Sequence, residues 1–104
     1  MKTNRNTDGT SFHGVTITTT IDELRQLLDS PTYESYCEKS PVSIAWDCET
    51  DTKTLFTIYD YDIQGINSFS KTEFNIGAFN WLESVEAKHY LLDCLSTLSE
   101  QNNN

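Results

Sequence analysis

Between Pro41 and Asp62 the chain reads PVSIAWDCETDTKTLFTIYDYD, and apolar and polar positions trade places along it. Val42, Ile44, Trp46 and Cys48 alternate with Ser43, Ala45, Asp47 and Glu49. Leu55 to Tyr61 is then dense in β-branched and aromatic residues. Period-two alternation with that composition predicts two strands, and the polar link Glu49–Thr54 predicts a hairpin between them. The link has neither Asn-Gly nor Asp-Gly, so the turn should be longer than two residues. Ile44 and Trp46 are the expected core residues of this hairpin.

The flanks extend the pattern. Phe12–Thr19, FHGVTITT, predicts a first strand, with Gly14 marking a bulge or a close backbone approach. Thr20 followed by Glu23 reads as a capping box. Ile21, Leu24, Leu27 and Leu28 then line one helix face, with Asp22 and Glu23 in the first turn, where the helix dipole favours them. Asp29-Ser30-Pro31 stops that helix. Thr32–Ser40 and Ile63–Lys71 are polar connectors. Phe74, Ile76 and Ala78 alternate within Thr72–Phe79, predicting a last strand that ends at a Gly77-Ala78 bend. Asn80, with Glu83 at N3, caps a helix expected from Trp81 to about Ser99. Strand, helix, three strands and helix make an α+β fold: a mostly antiparallel sheet of about four strands with two helices packed on one face. Leu82, Leu91, Leu92, Leu95 and Leu98 span more than a narrow stripe of the last helix. A homodimer is one way to cover them.

Composition sets the limits. One hundred and four residues make one domain, expected over residues 11–99. The polar ends, residues 1–10 and 100–104, read as disordered tails. Sixteen acidic against seven basic residues give a net charge of −9. Lys2, Arg5, Arg25, Lys39, Lys53, Lys71 and Lys88 are scattered, which argues against direct nucleic-acid binding. An acidic surface instead attracts basic ones, including those that hold nucleic acid. Cys37, Cys48 and Cys94 are an odd set without C-x-x-C spacing and suit a reducing compartment. With no signal peptide and no apolar run of membrane length, the expected location is cytoplasmic.

Catalytic signatures are absent from the sequence. His13 and His89 are isolated, and the histidines and cysteines lack zinc spacing. Asp47, Glu49 and Asp51 alternate as oxygen ligands do, but the loop lacks the Gly and Glu of a calcium loop. No enzyme activity, cofactor or metal is expected. The acidic rows are more informative. Asp47 and Glu49 project from one face of their strand, Asp60 and Asp62 from one face of the next, and Asp51 sits at the turn. Such a row reads either as an ordinary solvated face or as an imitation of a phosphate backbone, the latter with Tyr59, Tyr61 and Trp81 as aromatic anchors. The alternative is a small-molecule binder that sequesters a nucleotide-derived signal. Tyr59 and Trp81 would stack on a base, while the Gly77-Ala78 amides would hold a phosphate.

Phe12, Gly14, Ile17, Thr18 and Thr19, then Ala45-Trp46, Phe56-Thr57-Ile58-Tyr59-Asp60 and Asn75-Ile76-Gly77-Ala78 form a set of short motifs. Over about residues 12 to 95 they resemble a group of small bacteriophage accessory proteins. Tyr61-Asp62 stands where that group has Trp-Lys, Ala45 where it has Glu, Phe74 where it has Trp, and Ala78 where it has Gly. The resemblance implies a viral protein acting in the host cytoplasm. With the acidity, it leads to the expectation of a counter-defence inhibitor, a DNA mimic that blocks the basic, nucleic-acid-binding surface of a host protein.

Overall fold

Residues 2–3, 5–34, 44–60 and 71–102 are described in a computed structural model of the chain. The strands are β1 (Lys2–Thr3), β2 (Ser11–Thr19), β3 (Tyr33–Glu34), β4 (Ile44–Glu49), β5 (Leu55–Tyr59) and β6 (Thr72–Ala78). The helices are α1 (Ile21–Leu28) and α2 (Trp81–Asn102). Neighbouring strands run antiparallel in the order β1-β4-β5-β6-β2, with β3 beside β4. The fold is α+β, as the alternation predicts, and its four long strands are those read from the sequence.

Alternation within each strand sends one set of side chains into a single core. Val15 and Ile17 of β2, Ile44, Trp46 and Cys48 of β4, Phe56 and Ile58 of β5, and Phe74 and Ile76 of β6 share one face. Ile21, Leu24 and Leu28 of α1 and Ala87 and Leu91 of α2 close over it, so both helices lie on that side. Trp46 is fully buried, and its indole N–H donates to the Asp29 carbonyl at 3.1 Å. This bond satisfies the one polar atom of a large apolar side chain.

Local chemistry sets the element boundaries. Thr20 is extended (φ −115°, ψ 155°), and its hydroxyl accepts the Glu23 amide at 3.0 Å. Glu23 Oε1 in turn accepts the hydroxyls of Thr20 and Thr19. At the far end of α1 Asp29 adopts φ 64°, and its amide donates to the Arg25 carbonyl at 2.9 Å. Asn80 Oδ1 accepts the Glu83 amide at 2.8 Å and opens α2. The β4–β5 turn is longer than two residues, with Thr50 N donating to Thr54 O at 2.9 Å and Lys53 at φ 68°. Gly14, at φ 86°, lies where the β2–β6 register shifts, between Phe12 and Thr16. That shift is the bulge its position suggested.

Two expectations about the ends are corrected. Residues 2–3 and 5–10 are not a loose tail: Lys2 and Thr3 pair with Glu49 and Cys48, and Arg5 N donates to Asp47 O at 3.3 Å. Backbone pairing at a sheet edge needs no apolar side chains, so composition gives no hint of it. The last helix runs to Asn102, into the expected tail 100–104.

Candidate binding surface

The strand residues that do not enter the core form a second face, away from both helices. On β4 these are Ala45, Asp47 and Glu49, in register with Tyr59, Thr57 and Leu55 of β5. Thr57 and Tyr59 continue the rows to Gly77 and Asn75 of β6, which face Phe12 and Thr16 of β2. At the other border, Tyr33 of β3 sits beside Ala45. One row therefore reads Tyr33, Ala45, Tyr59, Asn75, Thr16. The next reads Asp47, Thr57, Gly77, Phe12.

Asp47 and Glu49 occupy this face as expected, and both are half-buried. The Thr57 hydroxyl donates to Asp47 Oδ1 at 3.1 Å and lies 3.1 Å from the Thr7 hydroxyl. Asp51 is exposed at the hairpin turn and accepts the Tyr90 hydroxyl of α2. Burial, reinforced by that bond and by Asp51's charge, pushes the Tyr90 phenol up to about 12. Lys53 is exposed in the same turn.

Asp60 does not join this surface. It shares the inward face with Phe56 and Ile58, is fully buried, and its Oδ1 accepts the Ile44 amide at 2.8 Å. The expected pairing of Asp60 with Asp47 and Glu49 on one exposed surface is therefore corrected. Asp60 faces the helices and closes the base of the hairpin. Tyr61 and Asp62 lie outside the described residues. Tyr59 stays on the second face, and its ring passes 3.6 Å from where a Gly77 Cβ would stand. That is ordinary contact distance, so the Tyr59 ring packs against β6 at Gly77. Trp81 is 59% exposed, at the start of α2.

The anion cradle expected at Gly77-Ala78 is also corrected. Both residues lie inside β6, paired with Thr57 and Ser11, so their backbone groups belong to the sheet ladder. His13 Nε2 lies 3.1 Å from the Ala78 carbonyl. Tyr33 and Phe12 are members of the second face that the sequence hides. Tyr33 lies two residues past Pro31 in a polar connector, and the bulge at Gly14 breaks the alternation that would place Phe12.

The remaining candidates are structural or isolated. Cys48 is buried, and desolvation pushes its thiol up to about 12, with the Asp47 charge adding to the shift. Burial also raises the Cys94 thiol. His89 lines a shallow groove with Thr50, Thr52, Val85, Glu86 and Tyr90, between α2 and the hairpin turn. Among the described residues no group of three or more His, Cys, Asp or Glu side chains is placed to hold a metal ion. Among them, too, no helix is long and apolar enough to cross a membrane. No known protein family, curated protein or solved structure matches the chain.

Proposed function

We propose that this chain is a non-enzymatic binding protein whose second sheet face, at its β4–β5 side, docks on a basic surface of a protein partner. The observation that carries this reading is the register: Asp47 and Glu49 stand on the same face as Tyr59 and Tyr33, with Asp51 at the adjoining turn. Carboxylates raise the encounter rate with a cationic surface. Tyrosines supply large, stiff contact area at low entropic cost. The net charge of −9 adds long-range attraction of the same sign. Through its resemblance to small bacteriophage accessory proteins, the partner is a host protein with a basic, nucleic-acid-binding surface, and the chain inhibits it by occupying that surface in the host cytoplasm. Sequestration of a nucleotide-derived signal is the weaker reading, because the Gly77 and Ala78 amides proposed for its phosphate are committed to the sheet.

The test is capture of host proteins on the immobilised chain, followed by a competition assay. The expected partner is basic, elutes with salt, and loses its nucleic acid when the chain is added. A captured partner that holds nucleic acid and chain together would overturn the occlusion mechanism.

A further inference from the structure

The two edges of the sheet are treated differently. Ile44 N donates to Asp60 Oδ1 and Asp60 N to Ile44 O, so Ile44, Trp46 and Cys48 turn their peptide groups toward β5. Asp47 turns its own outward, where its carbonyl accepts Arg5 N and its amide donates to Thr32 Oγ1 at 3.1 Å. With β3 at Ala45 and β1 at Glu49, every outward position of β4 is occupied. Carrying the alternation across β5 and β6 makes Ile17 and Thr19 the residues bonded to Phe74 and Thr72. Thr16 and Thr18 then present their N–H and C=O groups out of the sheet. Among the described residues β2 pairs with β6 alone.

Sheet edges left open are normally guarded by charge, proline or distortion. Strand β2, SFHGVTITT, has no charged residue and no proline, in a chain of net charge −9. Its one guard is the bulge at Gly14, which leaves Val15–Thr19 regular. A two-fold axis at Ile17 sets position 16 of each copy opposite position 18 of the other, and both positions are threonine, so like side chains of equal size meet.

We infer that the Val15–Thr19 edge pairs with the same edge of a second copy, antiparallel about a two-fold axis at Ile17. Thr16 of each copy faces Thr18 of the other, exchanging both N–H···O bonds. The threonine side chains form cross-strand pairs on the second face. Two strongly acidic chains meet where neither carries a charge on the joining strand. The capped β4 edges become the ends of the joined sheet, so the assembly closes at two and does not extend into a fibre.

The experiment compares wild type, Thr18→Pro and Thr16→Lys/Thr18→Lys by light scattering at high micromolar concentration. Amide exchange of the wild type is followed alongside. Proline at an outward-facing amide leaves the β6 ladder intact, and the lysine pair sets like charges opposite each other without altering the backbone. The expected result is a wild-type mass twice 11.9 kDa, with Thr16 and Thr18 amides protected from exchange. The double-lysine variant should have the single-chain mass and an unchanged circular dichroism spectrum, and Thr18→Pro should match it if it folds. A single-chain mass for the wild type overturns the inference. So does a dimer that survives the lysine pair, or one whose Thr16 and Thr18 amides exchange freely.

Discussion

Ile44 and Asp60 close the base of the central hairpin through two bonds: the Ile44 amide donates to the Asp60 carboxylate at 2.8 Å, and the Asp60 amide to the Ile44 carbonyl at 3.3 Å. Asp60→Ala leaves the buried Ile44 amide without its acceptor and should cost about 1–3 kcal/mol in urea denaturation. Asp60→Asn keeps an acceptor oxygen and should lose less. An Asp60→Ala protein as stable as wild type would show that the bond contributes nothing net.

Trp46 fills the centre of the core and donates to the C-terminal cap of α1. Trp46→Ala should cost on the order of 3–5 kcal/mol. Trp46→Phe keeps most of the volume but leaves the Asp29 carbonyl without its donor. It should fall between the two, by thermal or chemical denaturation.

Lys53 occupies the left-handed region at φ 68°, which costs a side-chain-bearing residue roughly 1–2 kcal/mol. Lys53→Gly relieves that strain and frees the unfolded chain by a smaller amount. A net gain of up to about 1 kcal/mol is expected in the unfolding midpoint. The substitution also deletes the hairpin's cation, so association with a basic partner should quicken.

Cys48 and Tyr90 predict alkaline instability. Both hold their protons more tightly folded than unfolded, with values of about 12 against ordinary ones of 9.0 and 10.0. Their contributions are complete below the ordinary values and are lost as pH climbs toward 12. The unfolding free energy should therefore fall above pH 9.0, with Cys48 giving a slope approaching about 1.4 kcal/mol per pH unit. Cys48→Ala should flatten that slope. In the native protein at neutral pH, Cys48 should resist thiol reagents until the chain unfolds.

Glu49→Lys with Asp51→Lys tests the acidic face. The fold should persist by circular dichroism. Association with the captured partner should slow by about tenfold or more and lose most of its salt dependence, as expected for charges screened within roughly 10 Å at 0.1 M salt. Tyr59→Ala should act on dissociation instead. If the reversals leave the association rate unchanged, electrostatic steering is not how this face works.

Much of the fold is legible because side-chain chemistry marks it. Thr20 with Glu23, and Asn80 with Glu83, announce helix starts, and the alternation through Ile44, Trp46, Phe56 and Ile58 announces the hairpin. Asp60 shows the limit. Period two places it inward with Phe56 and Ile58, but its charge argues outward, and only the Ile44 amide in the folded chain settles the conflict. Lys2 and Thr3 join the sheet through backbone groups, which leave no trace in hydropathy. Of the candidate surface, Asp47, Glu49 and Tyr59 follow from alternation. Tyr33 does not, because its place depends on the register of a two-residue strand.

Strands β2 and β6 are neighbours in space, yet α1, β3, β4 and β5 separate them along the chain. During synthesis, β2 therefore leaves the ribosome long before the strand that will complete it. Until β6 emerges, Val15 and Ile17 lack the strand that joins them to the β4–β5 hairpin, and among the described residues β2 has no backbone partner on either side. Closure of the sheet waits for nearly the whole sequence, a non-local step of the kind that slows folding. A chain whose translation stops before Thr72 would lack the β6 partner of an apolar strand, a species prone to aggregation and fit for proteolysis rather than rescue.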